Sequence, residues 1–472
     1  MGMLNSSYKY FIFNLTGSAV SLLGIAYFSR ELGAKGIGVY FLFQAVVLVT
    51  DIFSNMGIRK GVEKRLSESG SFGDIVSSGI ILKCLLWALT GVITWTFSSP
   101  VENYIGIQHW YYVFVGLVVY DARGFFTSIL KGKLKIIHSA IVSLFRRSGF
   151  VFFSFIYFQF MSSHESLIIG FITSEFLSAA LGLYFANISV ESPSFEKIVS
   201  IFEFSKYSFV TSVGGQVYAW SDVLILGWLA SQTAVGGYEV SWRVAGAVMI
   251  LSNSISVVLF PHVSSWDDKK LNDKIENSIT SSLVVSLFLV IPAFFGSIAV
   301  SEELLNLVFG SEFTFASIVL ILLMGEKVFQ AFHNVIGKAL LAIDRPKAAA
   351  KATLVTVVSN IVLNILLIPQ FGVEGAAVAT LTSFTINTAL HYQYLTQSVR
   401  VVLPVKEVEW IVISSISMLS IIFILKSVFT ISNIHTLLIL ILTGAFCFTI
   451  IAGINEAIRS KYKIAFNTLQ NL

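Results

Sequence analysis

The residues of this chain that could do chemistry are charged side chains set inside long apolar runs. The cations are Arg123, Arg146, Arg147, Arg243 and Lys327, with Arg30 at the outer edge of a run. The anions are Asp51, Asp121, Glu175, Asp222, Glu239 and Glu326. An ionised group in the middle of a bilayer is costly and marks a functional site by default. Arg146 and Arg147 lie nine or ten residues into the run 137–160. At about 1.5 Å per residue that is close to the midplane. Arg123, Glu175 and Lys327 are similarly deep, and Arg243 and Asp222 fall in the outer half. An arginine fork meets two phosphate oxygens at once. The chemistry this suggests is recognition of a phosphate head in an anion-attracting cavity, with cations from both halves of the chain holding one group. The carboxylates are candidates for proton or sodium coupling, or for simple pairing.

Spacing predicts some of that pairing. Glu239 precedes Arg243 by four, the favourable order on one helix face. Glu326 adjoins Lys327. Asp121 and Arg123, two apart, do not share a face; they could pair only through bent side chains, or each could pair across helices. Asn360 and Asn364 do share one and suit interhelical hydrogen bonds. His391 reads as a satisfied interface histidine, with a proton relay as the alternative.

The elements that hold these residues follow from composition. Of 472 residues 55% are hydrophobic and 12% charged. Soluble domains carry about 25% charged residues, so too few charges are present to cover a water-facing surface. The runs are continuous and near the roughly 20 residues a crossing helix requires; a β-barrel would alternate over about 10. The expected fold is an all-α polytopic membrane protein with about fourteen transmembrane helices, near 8–29, 38–56, 75–98, 110–130, 137–160, 165–187, 205–229, 236–260, 278–300, 313–342, 348–369, 374–398, 408–430 and 435–458. The tenth is long for one crossing and is expected to tilt or bend. The first is kept as a helix, since no basic segment or cleavage site marks it as a signal. Cys84 and Cys447 both fall inside apolar runs, which gives no support for a disulfide or metal site.

Lysine and arginine alternate sharply between the connections. Those after even-numbered helices, with the C-terminal tail, hold eighteen; those after odd-numbered helices hold two, Arg30 and Lys35. The positive-inside rule then places both termini and every even connection in the cytoplasm. The run Arg59, Lys60, Lys64, Arg65 reads as a topology determinant that meets anionic lipid heads. Trp110, Tyr111 and Tyr112 read as an interfacial belt.

A repeat is also visible. Gly33-Ala-Lys-Gly-Ile-Gly-Val-Tyr40 is echoed by Ser231-Gln-Thr-Ala-Val-Gly-Gly-Tyr238, and Tyr157-Phe-Gln-Phe160 by Ile368-Pro-Gln-Phe371. The shifts, 198 and 211 residues, predict two pseudo-symmetric six-helix lobes, 1–190 and 191–400, with two extra helices and a tail in 401–472. Six crossings return the chain to the same side, so the lobes run parallel.

The segment Arg30-Glu-Leu-Gly-Ala-Lys-Gly-Ile-Gly-Val-Tyr40, after a first helix containing Asn14, resembles the opening of Wzx-type polysaccharide flippases of the multidrug/oligosaccharidyl-lipid/polysaccharide exporter superfamily. Pro261 ending the eighth helix, the Ala342-Ile-Asp-Arg-Pro-Lys347 loop and Phe371-Gly-Val-Glu-Gly-Ala-Ala377 extend the likeness over essentially the whole chain. Gly33, Gly36 and Gly38 would make the tight turn between the first two helices. The resemblance implies a transporter, not an enzyme. It would flip a polyprenyl-(pyro)phosphate-linked oligosaccharide from the cytoplasmic to the outer leaflet by alternating access, in surface polysaccharide assembly. The implied partners are membrane lipids, that lipid-linked glycan and polysaccharide-assembly proteins, with no cofactor, no metal and no nucleic acid. Consistent with this, no Gly-x-x-x-x-Gly-Lys-Ser/Thr loop is present. The competing readings are a multidrug or organic-cation antiporter, which calls for uncompensated carboxylates and usually twelve helices, and a lipid II flippase, which shares fourteen helices and cavity arginines. A membrane glycosyltransferase or polymerase would need a soluble domain or a metal-binding acidic cluster, and neither is seen.

Overall fold

A computed structural model describes residues 2–68, 72–189 and 191–456. Every element among them is helical. The chain folds into two compact units, Met1–Gly236 and Gly237–Leu472. In the first, α1 is Gly2–Asn55, α2 Ile58–Glu68, α3 Gly73–Thr96, α4 Ser98–Ile105, α5 Tyr111–Gly132, α6 Ile136–Met161, α7 Glu165–Ala186 and α8 Phe195–Leu229. Then come α9 Gln232–Ala247, which begins in the first unit, α10 Ile250–Asp268, α11 Asn272–Leu304, α12 Ser317–Ala342, α13 Pro346–Thr396, α14 Val405–Val428 and α15 Ile434–Gly453. The basic tail residues Arg459, Lys461 and Lys463 lie outside the described residues.

Among the described residues, ten helices are long and apolar enough to cross a membrane, and α9 with α10, bent by 57° at a short break, make an eleventh candidate. Two of the ten are broken. Leu15–Asn55 has 41 residues and α13 has 51; at 1.5 Å per residue each is about twice the roughly 30 Å hydrocarbon core or more. The breaks fall at Gly33 (φ 68°, ψ 179°) and Gly372 (φ 57°, ψ −131°). Positive φ with ψ near ±180° is open essentially to glycine alone. Gly33 therefore makes the first turn unaided, and Gly36 and Gly38 are helical.

Gly38 does something else. A Cβ there would stand 1.7 Å from the Gln232 carbonyl oxygen, and one on Gly236 would stand 2.0 Å from the Ala34 carbonyl oxygen. Ala34 and Gly38, and Gln232 and Gly236, are each four apart, so α1 and the start of α9 cross with each glycine against a backbone carbonyl of the other helix. Both pairs belong to the repeated sequence motif.

One local expectation is corrected, and two other stretches gain detail that the sequence reading did not give. Pro261 does not end its helix; α10 continues to Asp268. The long tenth run is a 3-10 turn, Ser311–Ala316, followed by α12. The connections around 58–68 and 98–105 carry short helices of their own, α2 and α4. In the second unit α14 and α15 pack on α11 through Met418, Ile422, Leu440 and Phe448, and Phe448 meets Phe288 with ring centroids 4.9 Å apart. Lys426 adds a bond to the Ala299 carbonyl (2.6 Å) and an ion pair with Glu303 (2.6 Å).

Candidate functional site

The first unit encloses an ionic network centred on Asp121. α1 ends at Asn55, and Met56 (φ 43°) and Gly57 (φ 78°) turn the chain back. Gly57 has no room for a side chain, because a Cβ would lie 2.4 Å from the Ser205 carbonyl oxygen. The turn swings α2 so that Arg59 returns to Asp51, eight residues earlier, and pairs with it. Arg59 also donates to Asp121 Oδ1 through Nε (2.9 Å) and Nη2 (2.5 Å). Its guanidinium lies against Gly124, where a Cβ would stand 2.6 Å from Cζ.

From α3, Lys83 Nζ donates to both Asp121 oxygens (2.8 and 3.0 Å) and to Asn55 Oδ1 (3.0 Å). Trp87, one turn on, donates to Asp121 Oδ2 at 2.7 Å, and Ser54 Oγ reaches the same oxygen at 3.3 Å. Asp121 is fully buried and Lys83 is 1% exposed. A buried carboxylate persists when its lone pairs are filled and its charge is matched. Here two carboxylates, Asp51 and Asp121, face two cations, Arg59 and Lys83.

A second group adjoins the first through Tyr120. Its ring centroid is 5.4 Å from Arg59 Cζ and 5.0 Å from Arg123 Cζ. Arg123 pairs with Glu175 of α7, and Arg146 of α6 stands 3.7 Å from the other Glu175 oxygen. Glu175 is fully buried, while the arginine side chains keep 12% and 26% of their surface. This group has two cations on one carboxylate, so the combined network carries one positive charge in excess. Arg146 is the most exposed cation of the network.

The structure thus brings Arg123, Arg146 and Glu175 together and joins Asp121 to them through Tyr120. Arg147 points elsewhere and donates to Ser18 of α1 at 2.7 Å. Arg30 is exposed three residues before the break at Gly33. Asp222 is buried on α8. In the second unit Glu239 and Arg243 pair along α9 at 3.1 Å, as their spacing predicts. Lys327 pairs with Glu326 at 2.8 Å, and its Nζ stands 3.4 Å from the centroid of the Trp242 ring. These two cations are matched one for one by carboxylates. Replacing Trp242 with leucine should cost about 1–2 kcal/mol of stability by removing a desolvated cation–π contact; thermal unfolding in detergent checks this, and phenylalanine should cost less. Asn360 and Asn364 are both buried, and His391 bonds the Asn387 carbonyl (2.9 Å) with its ring edge-on to His333.

Two members of the network escape a sequence reading. Lys83 lies in the third apolar run, and the cost of a buried charge that singles out Arg123 applies equally to it. Arg59 has no such signal. It belongs to a basic connection whose other cations behave as that setting suggests: Lys60 pairs with Glu63, and Lys64 and Arg65 both pair with Glu68. Hydrogen bonds from Lys64 and Arg65 hold the exposed Glu68 carboxyl below its ordinary range. Arg59 is the correction to reading that whole run as lipid-facing, and only the turn at Met56–Gly57 sends it inward.

Broken apolar helices in two units, with a buried ionic network inside one, define a polytopic α-helical membrane protein. The fold is similar to that of "Lipid II flippase MurJ, inward closed conformation", with a TM-score of 0.78, 20% identity, and coverage of 94% of this chain and 98% of that one. Residues 28–319 match the family described as "Polysaccharide biosynthesis protein", and the chain belongs to it. Relatives from Haloferax volcanii include "Probable low-salt glycan biosynthesis flippase Agl15", 38% identical over all of this chain and 99% of that protein, and "Probable flippase AglR", 28% identical over 92% and 91%.

Proposed function

We propose that this multi-pass membrane protein is a flippase for a lipid-linked oligosaccharide, carrying a polyprenyl phosphate or diphosphate head across the bilayer with its glycan. The observation that carries the reading is the shared carboxylate: Arg123 and Arg146 both face Glu175, so the network has a positive charge to offer an anionic head. A relative named as a glycan biosynthesis flippase supports the glycan over a drug cation, and both Haloferax volcanii relatives are named as flippases rather than catalysts.

In this reading the chain makes fourteen crossings. The breaks at Gly33 and Gly372 each divide one long helix into two crossings, α8 makes one more, and α9 with α10 make a single bent one. Both termini then return to the cytoplasm, in line with the lysine and arginine bias. The lobes 1–190 and 191–400 would alternate access by rocking, with 401–472 appended. The contact between the two copies of the repeated motif, Gly38 with Gln232 and Ala34 with Gly236, supports a related pair of lobes. Membrane lipids and the lipid-linked glycan are the partners, and assembly proteins would take the glycan over outside.

The test is export. Arg123→Gln and Arg146→Gln should each lower surface glycan about tenfold, and together about a hundredfold. Each removes a charge-assisted contact of about 1.5–3 kcal/mol, and about 1.4 kcal/mol is tenfold. Removing both also leaves the buried Glu175 without either cation, so folded protein in the membrane is measured alongside and export is scored per folded molecule. Undiminished export in the double variant would leave those arginines with a structural role only.

A further inference from the structure

A second feature of the first unit lies outside the ionic network. The first arm of α1 and the middle of α6 enclose an apolar trough of about 420 Å³, walled by Leu23, Tyr27, Val151, Phe152 and Phe155. Gly24 lets the two helices meet at its floor; a Cβ there would stand 2.4 Å from Val151 Cγ2. The upper wall is aromatic, with Tyr27 5.6 Å from Phe155. Leu23 and Phe152 stay exposed, at 71% and 59%, so one side of the trough is open.

Arg147 lies just beyond the lining, one helical turn before Val151 and next to Ser148, which does line it. Arg147, Val151 and Phe155 follow at intervals of four and share a helix face. From Arg147 to Phe155 the face runs about 12 Å at 1.5 Å per residue. Arg147 is oriented by its bond to Ser18 and packs against Gly17, where a Cβ would lie 2.9 Å from its Cδ. A cation at one end of an apolar channel matches an amphiphile with an anionic head.

Depth selects the amphiphile. α6 is a candidate crossing of 26 residues, and Arg147 lies eleven residues past its first, near the middle. The phosphate of a resident phospholipid stays at the interface, at the end of such a helix. A phosphate that reaches Arg147 belongs to a molecule being carried through.

We infer that the α1–α6 trough binds the head-proximal isoprenoid chain of the lipid carrier, with Arg147 on its phosphate. Arg146, the next residue, faces Glu175 on another side of α6, so the trough and the ionic network are separate features of the first unit. The inference rests on the flippase reading for the chemistry of the carrier and adds where its tail lies.

The full-length protein in vesicles containing a polyprenyl phosphate with a diazirine near its head tests this. Irradiation should place label on residues 20–28 and 148–155. Filling the trough with Leu23→Trp, at an exposed position, should reduce that label about tenfold, which is about 1.4 kcal/mol of binding, and Arg147→Gln should reduce it similarly. Label concentrated on other helices, or undiminished in both variants, overturns the inference and leaves the flippase reading intact. Equal labelling of the trough by a phosphatidylcholine with a diazirine in its acyl chain overturns the assignment to an isoprenoid. The flippase reading is judged separately, by whether a strain lacking the gene still exports its glycan.

Discussion

Asp121→Ala is expected to destabilise the protein by about 3–5 kcal/mol, the range for leaving buried charges without their partner. The carboxylate accepts from Arg59, Lys83, Trp87 and Ser54. Without it, Arg59 and Lys83 are left with Asp51 as the one remaining carboxylate of their group. The cost is the desolvation of a cation that has lost its counter-charge, so it should depend on charge count. Adding Lys83→Met to Asp121→Ala restores one cation to one carboxylate and should recover about half the loss, whereas independent sites would give additive costs. Thermal unfolding in detergent, with the amount of folded protein in membranes, reads both variants. A double variant weaker than Asp121→Ala alone would show that shape rather than charge balance governs the cluster.

Gly38→Val is expected to be at least as severe. Its Cβ would fall 1.7 Å from the Gln232 carbonyl oxygen, 2.6 Å from that carbonyl's carbon and 3.1 Å from the Gly236 nitrogen. All three are backbone atoms on a packed helix, so no side chain can rotate aside. Overpacking typically costs about 1–3 kcal/mol when side chains can adjust; here α1 and α9 must separate, and the loss should exceed about 3 kcal/mol. Gly246→Ala is the control. Nothing lies within 4 Å of its added Cβ, and its effect should stay within about 0.5 kcal/mol. If Gly38→Val folded as well as Gly246→Ala, the helices would not cross through these glycines.

These two residues show how far the chain could be read unfolded. Asp121 was visible as a charge in an apolar run, and its spacing from Arg123 disfavoured that neighbour as a partner along the helix. Its actual partners come from α2 and α3, 62 and 38 residues away. Gly38 was visible as part of a glycine-rich turn, and there the reading was incomplete. Gly33 makes the turn; Gly38 serves a helix crossing almost two hundred residues along the chain. Pairs within one turn of helix, such as Glu239 and Arg243, were legible because 3.6 residues per turn places them together whatever the rest of the chain does.

The sequence by itself determined the solvent. Long apolar runs, few charges and the alternation of basic connections leave a helical membrane protein as the one consistent reading, because backbone groups in lipid must be satisfied within each segment. It also pointed to Arg123, Arg146 and Glu175 as buried charges. Tertiary structure decided which charges meet. Arg146 faces Glu175 while its neighbour Arg147 faces Ser18, since successive residues on a helix point about 100° apart. Arg59 joins the interior because two residues of positive φ reverse the chain in front of it. Distances of that kind are set by turns and helix crossings rather than by local periodicity, and they leave this buried site with more positive than negative charge.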